Sequence, residues 1–233
     1  MTRQERMYKV KRARFNNIGV LTAKKSWFIS YGRKFVKILR SKGYRARLFL
    51  DHNDLGEGFQ VVFMLSYFNI VQKDFLKKHK HNLIVHESDL PKGKGWVPLF
   101  WQILEGKNKI PVVLFEATEK VDSGVVYIKD YILLKGHELH DEIRRLQAEK
   151  TIEICLRFLE GYENLKLVKH NGKATYYRKR LPENSKLDIN KSIKEQFNLL
   201  RSVNNNEFPG FFYYKGHKYR IEIYAGGKHE EAN

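Results

Sequence analysis

Five short apolar runs, spaced along the first half of the chain, constrain its fold more than any other feature. They occupy residues 17–23, 46–50, 61–66, 82–86 and 111–117. The run 61–66 (VVFMLS) shows no polar–apolar alternation, the pattern of a strand covered on both faces. Helical patterns separate the runs. Residues 27–41 place Phe28, Phe35, Val36, Ile38 and Leu39 at helical spacing before Gly43, and 73–81 reads as a short basic helix. Residues 98–105 open on Pro98, a good first-turn residue. A sixth strand is predicted over 127–134. The longest helix is predicted over 137–161, with a stripe of Leu139, Ile143, Leu146, Ile152, Cys155, Leu156 and Leu159. Strands alternating with helices predict an α/β fold with a mostly parallel sheet. Beyond Gly161 the texture changes. Residues 166–180 alternate weakly, 190–203 predict a helix, and 211–214 with 218–224 flank Gly216 as a hairpin would. The expected organisation is a basic N-terminal extension (1–15), a core (16–165) and a small C-terminal α+β subdomain (166–233).

Several classes are excluded at this point. Apolar residues make up 42% of the chain and aromatics 13%, too many for a disordered polymer. The longest apolar runs are far too short to span a bilayer, and no apolar segment of a secretory signal follows the basic N-terminus. One cysteine, Cys155, allows neither an internal disulfide nor a cysteine-built zinc site. A soluble cytoplasmic protein with no membrane partner and no metal is expected. Charge is less decisive: 44 Lys+Arg less 26 Asp+Glu gives +18. The basic residues are dispersed (9–14, 77–80, 166–173, 178–180) and no nucleic-acid-binding motif accompanies them. Such a field attracts a small polyanion as well as it attracts RNA, or simply solvates the surface. No nucleic-acid partner is expected.

Chemistry concentrates in residues 86–124. His86 ends a purely apolar strand and precedes polar, glycine-rich chain, so it sits where open α/β sheets bind ligands. Asp122 follows the 111–117 strand in a turn before Ser123 and Gly124. If the two strands are neighbours, this carboxylate can orient the imidazole as a general base. The plainer alternatives are a strand-end histidine bonded to backbone and an ordinary turn aspartate. Gly93 and Gly95 form either a flexible loop or a phosphate cradle, but they match neither standard nucleotide-phosphate pattern. Trp96, Phe100 and Trp101 either stack on a ligand or belong to the core, the latter being the commoner use of aromatics near a helix start.

The same segment resembles the signature of folate-dependent formyltransferases. The matching positions are His86, Ser88, Leu90, Pro91, Gly93, Gly95, Pro98, Trp101, Ile103, Gly106, and Asp122 with Ser123 and Gly124. Residues 65–71 (LSYFNIV) resemble the family segment that holds the pterin of 10-formyltetrahydrofolate. Arg180 to Pro182, Asp188 to Asn190, Asn198 to Arg201 and Phe208 to Phe211 resemble the C-terminal part of sugar-nucleotide N-formyltransferases. The likeness runs from about Asn17 to Tyr224 and implies a Rossmann-like core. It implies catalysis by His86 and Asp122, with folate held by Leu65, Tyr67, Phe68, Ile70, Phe115, Ala117, Thr118, Glu119 and Val121. Substrate contacts are implied at Lys92, Gly95 and Trp96. The closest wording is that of pseudaminic acid pathway enzymes acting on a UDP-linked 4-amino sugar. A homodimer is compatible with the aromatic hairpin around Phe211–Tyr219.

Two features depart from the family. An Asn that stabilises the oxyanion normally stands two residues before the histidine, where this chain has Ile84; the oxyanion is then left to His86 in its cationic form, to a backbone N–H, or, through water, to Asn82, the nearest amide on that strand face. The interval from the first strand to His86 is also short, as though one strand–helix unit were missing. The alternatives kept are methionyl-tRNA or another amine as acceptor, and a non-catalytic folate- or RNA-binding relative.

Overall fold

The computed structural model describes residues 15–169 and 171–227. The basic N-terminal extension, apart from Phe15, lies outside them. In chain order the main elements are β1 (Asn17–Leu21), α1 (Ile29–Ser41), β2 (Arg45–Phe49), β3 (Val61–Met64), α2 (Lys73–Lys77) and β4 (His81–His86). There follow β5 (Lys94–Gly95), α3 (Pro98–Leu104), β6 (Lys109–Glu116), β7 (Val126–Leu133) and α4 (His140–Gly161). The C-terminal part holds β8 (Tyr176–Tyr177), α5 (Phe197–Leu200), β9 (Gly210–Tyr214) and β10 (His217–Ile221). Six strands form one sheet in the order β2-β1-β3-β4-β6-β7. β1 runs parallel to β2 and β3, and β3 parallel to β4. All four residues of β3 are buried, as its uninterrupted apolar sequence predicts.

The chain divides into two compact units. Among the described residues the first comprises 15–85, 113–129 and 151–169; the second comprises 86–112, 130–150 and 171–227. In the first unit Phe158 is fully buried among Phe15, Phe63, Tyr127 and Tyr162, with ring centroids 5.0–6.2 Å away. Cys155 lies one turn earlier on α4 and is fully buried, which raises its thiol pKa well above the usual value by desolvation. The thiol therefore stays protonated and shielded. In the native chain at pH 8 it is expected to resist a disulfide-exchange reagent for hours and to react at once in denaturant. Rapid labelling without denaturant contradicts this burial.

Two expectations for the C-terminal part are resolved differently. The helix expected over 190–203 shrinks to the single turn α5. Upstream, side chains take over the backbone groups that a helix would use: Asp188 Oδ1 accepts from Asn190 N (3.0 Å), Glu195 Oε2 from Ser192 N (2.8 Å), and Gln196 Nε2 donates to Asp188 O (2.9 Å). The hairpin forms as expected, with β9 and β10 antiparallel. Its two-residue turn, Lys215–Gly216, has φ of 46° and 82°, the left-handed pair that suits strand twist.

Candidate active site

β4 is buried or part-buried along its whole length. Its alternation places Asn82, Ile84 and His86 on one face, with His86 at the carboxyl end. His86 is buried, and its Nε2 lies 3.0 Å from Gly93 O. A carbonyl can only accept, so Nε2 carries the proton and the basic lone pair sits on Nδ1. Nδ1 has no hydrogen-bond partner among the described residues, nor does it count among the buried unsatisfied atoms. The backbone-bonded histidine and the general base, set against each other in the sequence, are thus compatible: one nitrogen is anchored and the other is free.

The chain following His86 is clamped. Gln102, buried on α3, donates through Nε2 to Glu87 O (2.6 Å) and to Pro98 O (3.3 Å), while Gln147 Nε2 donates to Glu87 Oε1 (2.6 Å). Sequence reasoning missed both glutamines; a polar residue on an otherwise apolar helix such as 98–104 is the signal that marks Gln102. The backbone of the glycine-rich turn is bonded to the chain beside it. Lys94 N donates to Thr175 O, Trp96 N to Tyr177 O, and Gly93 N to Thr175 Oγ1, so 93–96 is stitched alongside β8. A Cβ on Gly95 would stand 2.5 Å from Tyr177 O, at a φ of 94°. Gly95 is therefore a close-approach glycine. Lys92 is exposed. Trp96 is 43% exposed with Lys179 Nζ 5.3 Å from its ring, so it is not core, whereas Phe100 is buried beneath the Arg180 guanidinium at 3.9 Å.

In the first unit the two segments implied to hold folate come together. Tyr67, Val71, Ile84 and Ala117 pack on one apolar cluster that includes Leu21, Val62, Met64 and Phe75. Lys73, just after the 65–71 segment, pairs with Glu119 at 2.8 Å. Tyr67 Oη is 2.6 Å from His52 Nδ1 and accepts from His52 N (3.2 Å), which fixes the ring. Phe68, Ile70 and Val121 project from these segments with half or more of their surface exposed, and Thr118 and Glu119 are exposed beside them. Leu65 and Phe115 are instead fully within the core, so only their backbone can face a ligand. An apolar rim around backbone groups suits a planar, hydrogen-bonding heterocycle such as a pterin.

Asp122 is buried and has a left-handed backbone, φ 50°. It belongs to the first unit and His86 to the second. Asn82 is placed unlike its expected role. Its Nδ2 donates to Leu76 O (2.8 Å), and its main-chain oxygen accepts from Ala117 N (2.7 Å). It lies four residues before His86, about 13 Å along a strand. The side chain thus serves the contact with α2.

A part-buried network beside it was also missed. Glu116 accepts from Asn82 N (2.6 Å) and Tyr127 Oη (2.9 Å) and lies 3.1 Å from His81 Nδ1. Burial, and then the Glu116 charge, push the Tyr127 phenol well above its ordinary pKa. Glu116 therefore ties the end of β6 to the start of β4.

The C-terminal motifs build the second unit. Arg201 is fully buried; it donates to Asn198 Oδ1 and Asn108 Oδ1, each at 2.8 Å, and lies 3.7 Å from Glu138. Burial lowers the Arg180 pKa to about 10, with the Arg144 charge adding to the effect. Among the described residues there is no group of three or more His, Cys, Asp or Glu that could hold a metal, and no helix is long and apolar enough to cross a membrane.

Comparison with known proteins bears on this geometry. A family model described as formyl transferase matches residues 1–158. The methionyl-tRNA formyltransferase of Clostridioides difficile (strain 630) is 30% identical over 149 residues, covering 62% of this chain and 48% of that protein. The chain thus spans about half the length of the curated relatives it matches. Among solved structures, a likely sugar N-formyltransferase from Mycobacterium tuberculosis superposes with a TM-score of 0.72 at 13% identity, over 92% of this chain and all of that one. HypX from Aquifex aeolicus, in complex with tetrahydrofolic acid, gives a TM-score of 0.73 at 19% identity, over 87% of this chain and 36% of that one. These likenesses show the α/β fold with a mostly parallel sheet.

Proposed function

The chain belongs to the formyl transferase family, and from that premise we propose that it moves a formyl group from 10-formyltetrahydrofolate to the amine of a nucleotide-linked amino sugar. A UDP-4-amino-4,6-dideoxy sugar of the pseudaminic acid type is the acceptor we favour. The observation that carries the reading is the free Nδ1 of an otherwise anchored, buried His86 at the carboxyl end of β4. The C-terminal motifs that build the second unit support the sugar acceptor over other amines.

When bound, the folate supplies an activated formyl carbonyl. Backbone groups of 65–71 and 115–121 would hold it, with Tyr67, Phe68, Ile70 and Val121 around the ring. His86 Nδ1 takes the proton that the amine loses as it attacks and passes it to the folate nitrogen as the bond from that nitrogen to the formyl carbon breaks, while Nε2 stays bonded to Gly93 O. Asp122 stabilises the resulting imidazolium. With Ile84 unable to donate and Asn82 committed to Leu76, the imidazolium and a backbone N–H are the donors for the developing oxyanion. Lys92 and Trp96 would meet the phosphates and the base or sugar of the acceptor.

Mass spectrometry of an amine panel with the protein and 10-formyltetrahydrofolate tests this. A formyl mass gain on a UDP- or dTDP-linked amino sugar is expected. Gain only on charged methionyl-tRNA, the acceptor named by the curated relatives, replaces the sugar reading; gain on nothing, with folate still bound, leaves a binding protein. Asp122→Asn is expected to lower the rate about a hundredfold with the melting temperature unchanged. A rate within about threefold of the parent removes Asp122 from the site.

A further inference from the structure

We propose that the open edge of the sheet carries a second ligand site, built for a nucleoside diphosphate. β2 is the edge strand. A cavity of about 670 Å³ lies against it, lined by β2, the start of β1, the end of α1 and residues 54–59. All of it falls in the first unit, and none of its lining belongs to the segments 65–71, 82–96 or 115–122.

The strand's alternation decides what faces the cavity. Arg45, Arg47 and Phe49 share one face, their α-carbons about 6.6 Å apart in sequence steps of two. Arg45 pairs in register with Asn17, which also lines the cavity. Arg40 serves a different end: its Nε donates to Ala46 O at 2.9 Å and covers an edge carbonyl that would otherwise invite another strand. Arg45 and Arg47 have no such duty. Among the described residues neither guanidinium makes a hydrogen bond or an ion pair, although Asp54 and Glu57 line the same cavity.

Two free guanidinium forks beside each other match the oxygens of a diphosphate, which they can bind bidentately. The walls supply the rest of the specificity. Phe49 and Phe59 meet edge to face at 5.4 Å, and Tyr44 closes the cavity from the end of α1. Phe59 and Tyr44 are buried and back the wall, the part-exposed Phe49 offers its surface to a base, and the carboxylates of Asp54 and Glu57 can accept from ribose hydroxyls or an exocyclic amine. The cavity volume is in the range of small-ligand sites.

Calorimetric titration of the full chain with ADP, UDP and inorganic pyrophosphate tests the proposal, and hydrogen–deuterium exchange with each ligand locates the binding. A nucleoside diphosphate is expected to bind about tenfold or more tighter than pyrophosphate and to protect peptides covering residues 44–59. Arg45→Gln with Arg47→Gln should weaken it at least about tenfold, and Arg45→Lys should also weaken it, because the charge stays but the fork is lost. Both side chains are exposed, so the fold survives, which the melting temperature verifies. Pyrophosphate binding as tightly as ADP, protection confined to residues 86–96, affinity unchanged in the double variant, or no saturable binding each overturns the site. These outcomes are independent of folate binding and of formyl transfer, so failure here leaves the proposed function standing, and the reverse holds too.

Discussion

Replacing His86 with alanine is expected to lower formyl transfer about a thousandfold, since positioned acid–base catalysis contributes roughly two to four orders of magnitude. Folate affinity should stay within about twofold, because the groups proposed to hold the folate belong to residues 65–71 and 115–121, which the substitution leaves in place. Alanine also deletes the hydrogen bond to Gly93 O, worth about 1 kcal/mol. His86→Gln separates the two effects. A glutamine amide can still donate to Gly93 O, yet it has no basic nitrogen. If proton transfer is the role, glutamine restores the melting temperature and leaves the rate as low as alanine does. If both variants keep near-parental rates, another base serves the reaction and the assignment falls.

Gly124→Ala is expected to cost about 4 kcal/mol or more, lowering the melting temperature by about 10 °C or more. A Cβ at this position would stand 1.6 Å from Glu116 O and 2.7 Å from the carbonyl carbon. Neither partner can retreat easily. Glu116 N donates to Val125 O (3.0 Å), and its side chain holds Asn82 N, Tyr127 and His81. Moving the β6 backbone therefore breaks a part-buried network along with the strand ladder. The same displacement would carry Asp122 with it, so surviving protein should lose activity as well. A melting temperature within about 2 °C of the parent means that the turn can open outward at little cost.

Most of the architecture was legible in the sequence. Apolar runs and helical stripes are local signals, and burial of apolar surface enforces them; β1, α1, β3, β4, α3, β6 and α4 fall where periodicity puts them, within a few residues. The 190–203 segment failed for a local reason of another kind. Apolar spacing there suggests a helix, but Asp188, Ser192, Glu195 and Gln196 offer the backbone competing partners that periodicity does not register.

The candidate site was legible as residue types in order, and less so as geometry. Order along the chain marked His86 and the two folate segments. It could not tell that Gly93 O fixes the imidazole tautomer, nor that Gly95 yields to Tyr177 from a stretch some eighty residues away. Asn82 shows the same limit: its side chain goes to Leu76, because strand alternation states a face and says nothing of what packs on it. What the sequence determined alone was the alternation of strands and helices and the succession of reactive residues, both written in neighbouring positions. Tertiary structure decided the partners: which nitrogen of His86 is bonded to Gly93 O, which carboxylate ties β6 to β4, and which arginines on β2 line a cavity. Those choices depend on residues distant in the chain, whose hydrogen bonds and charges meet only once the backbone has folded.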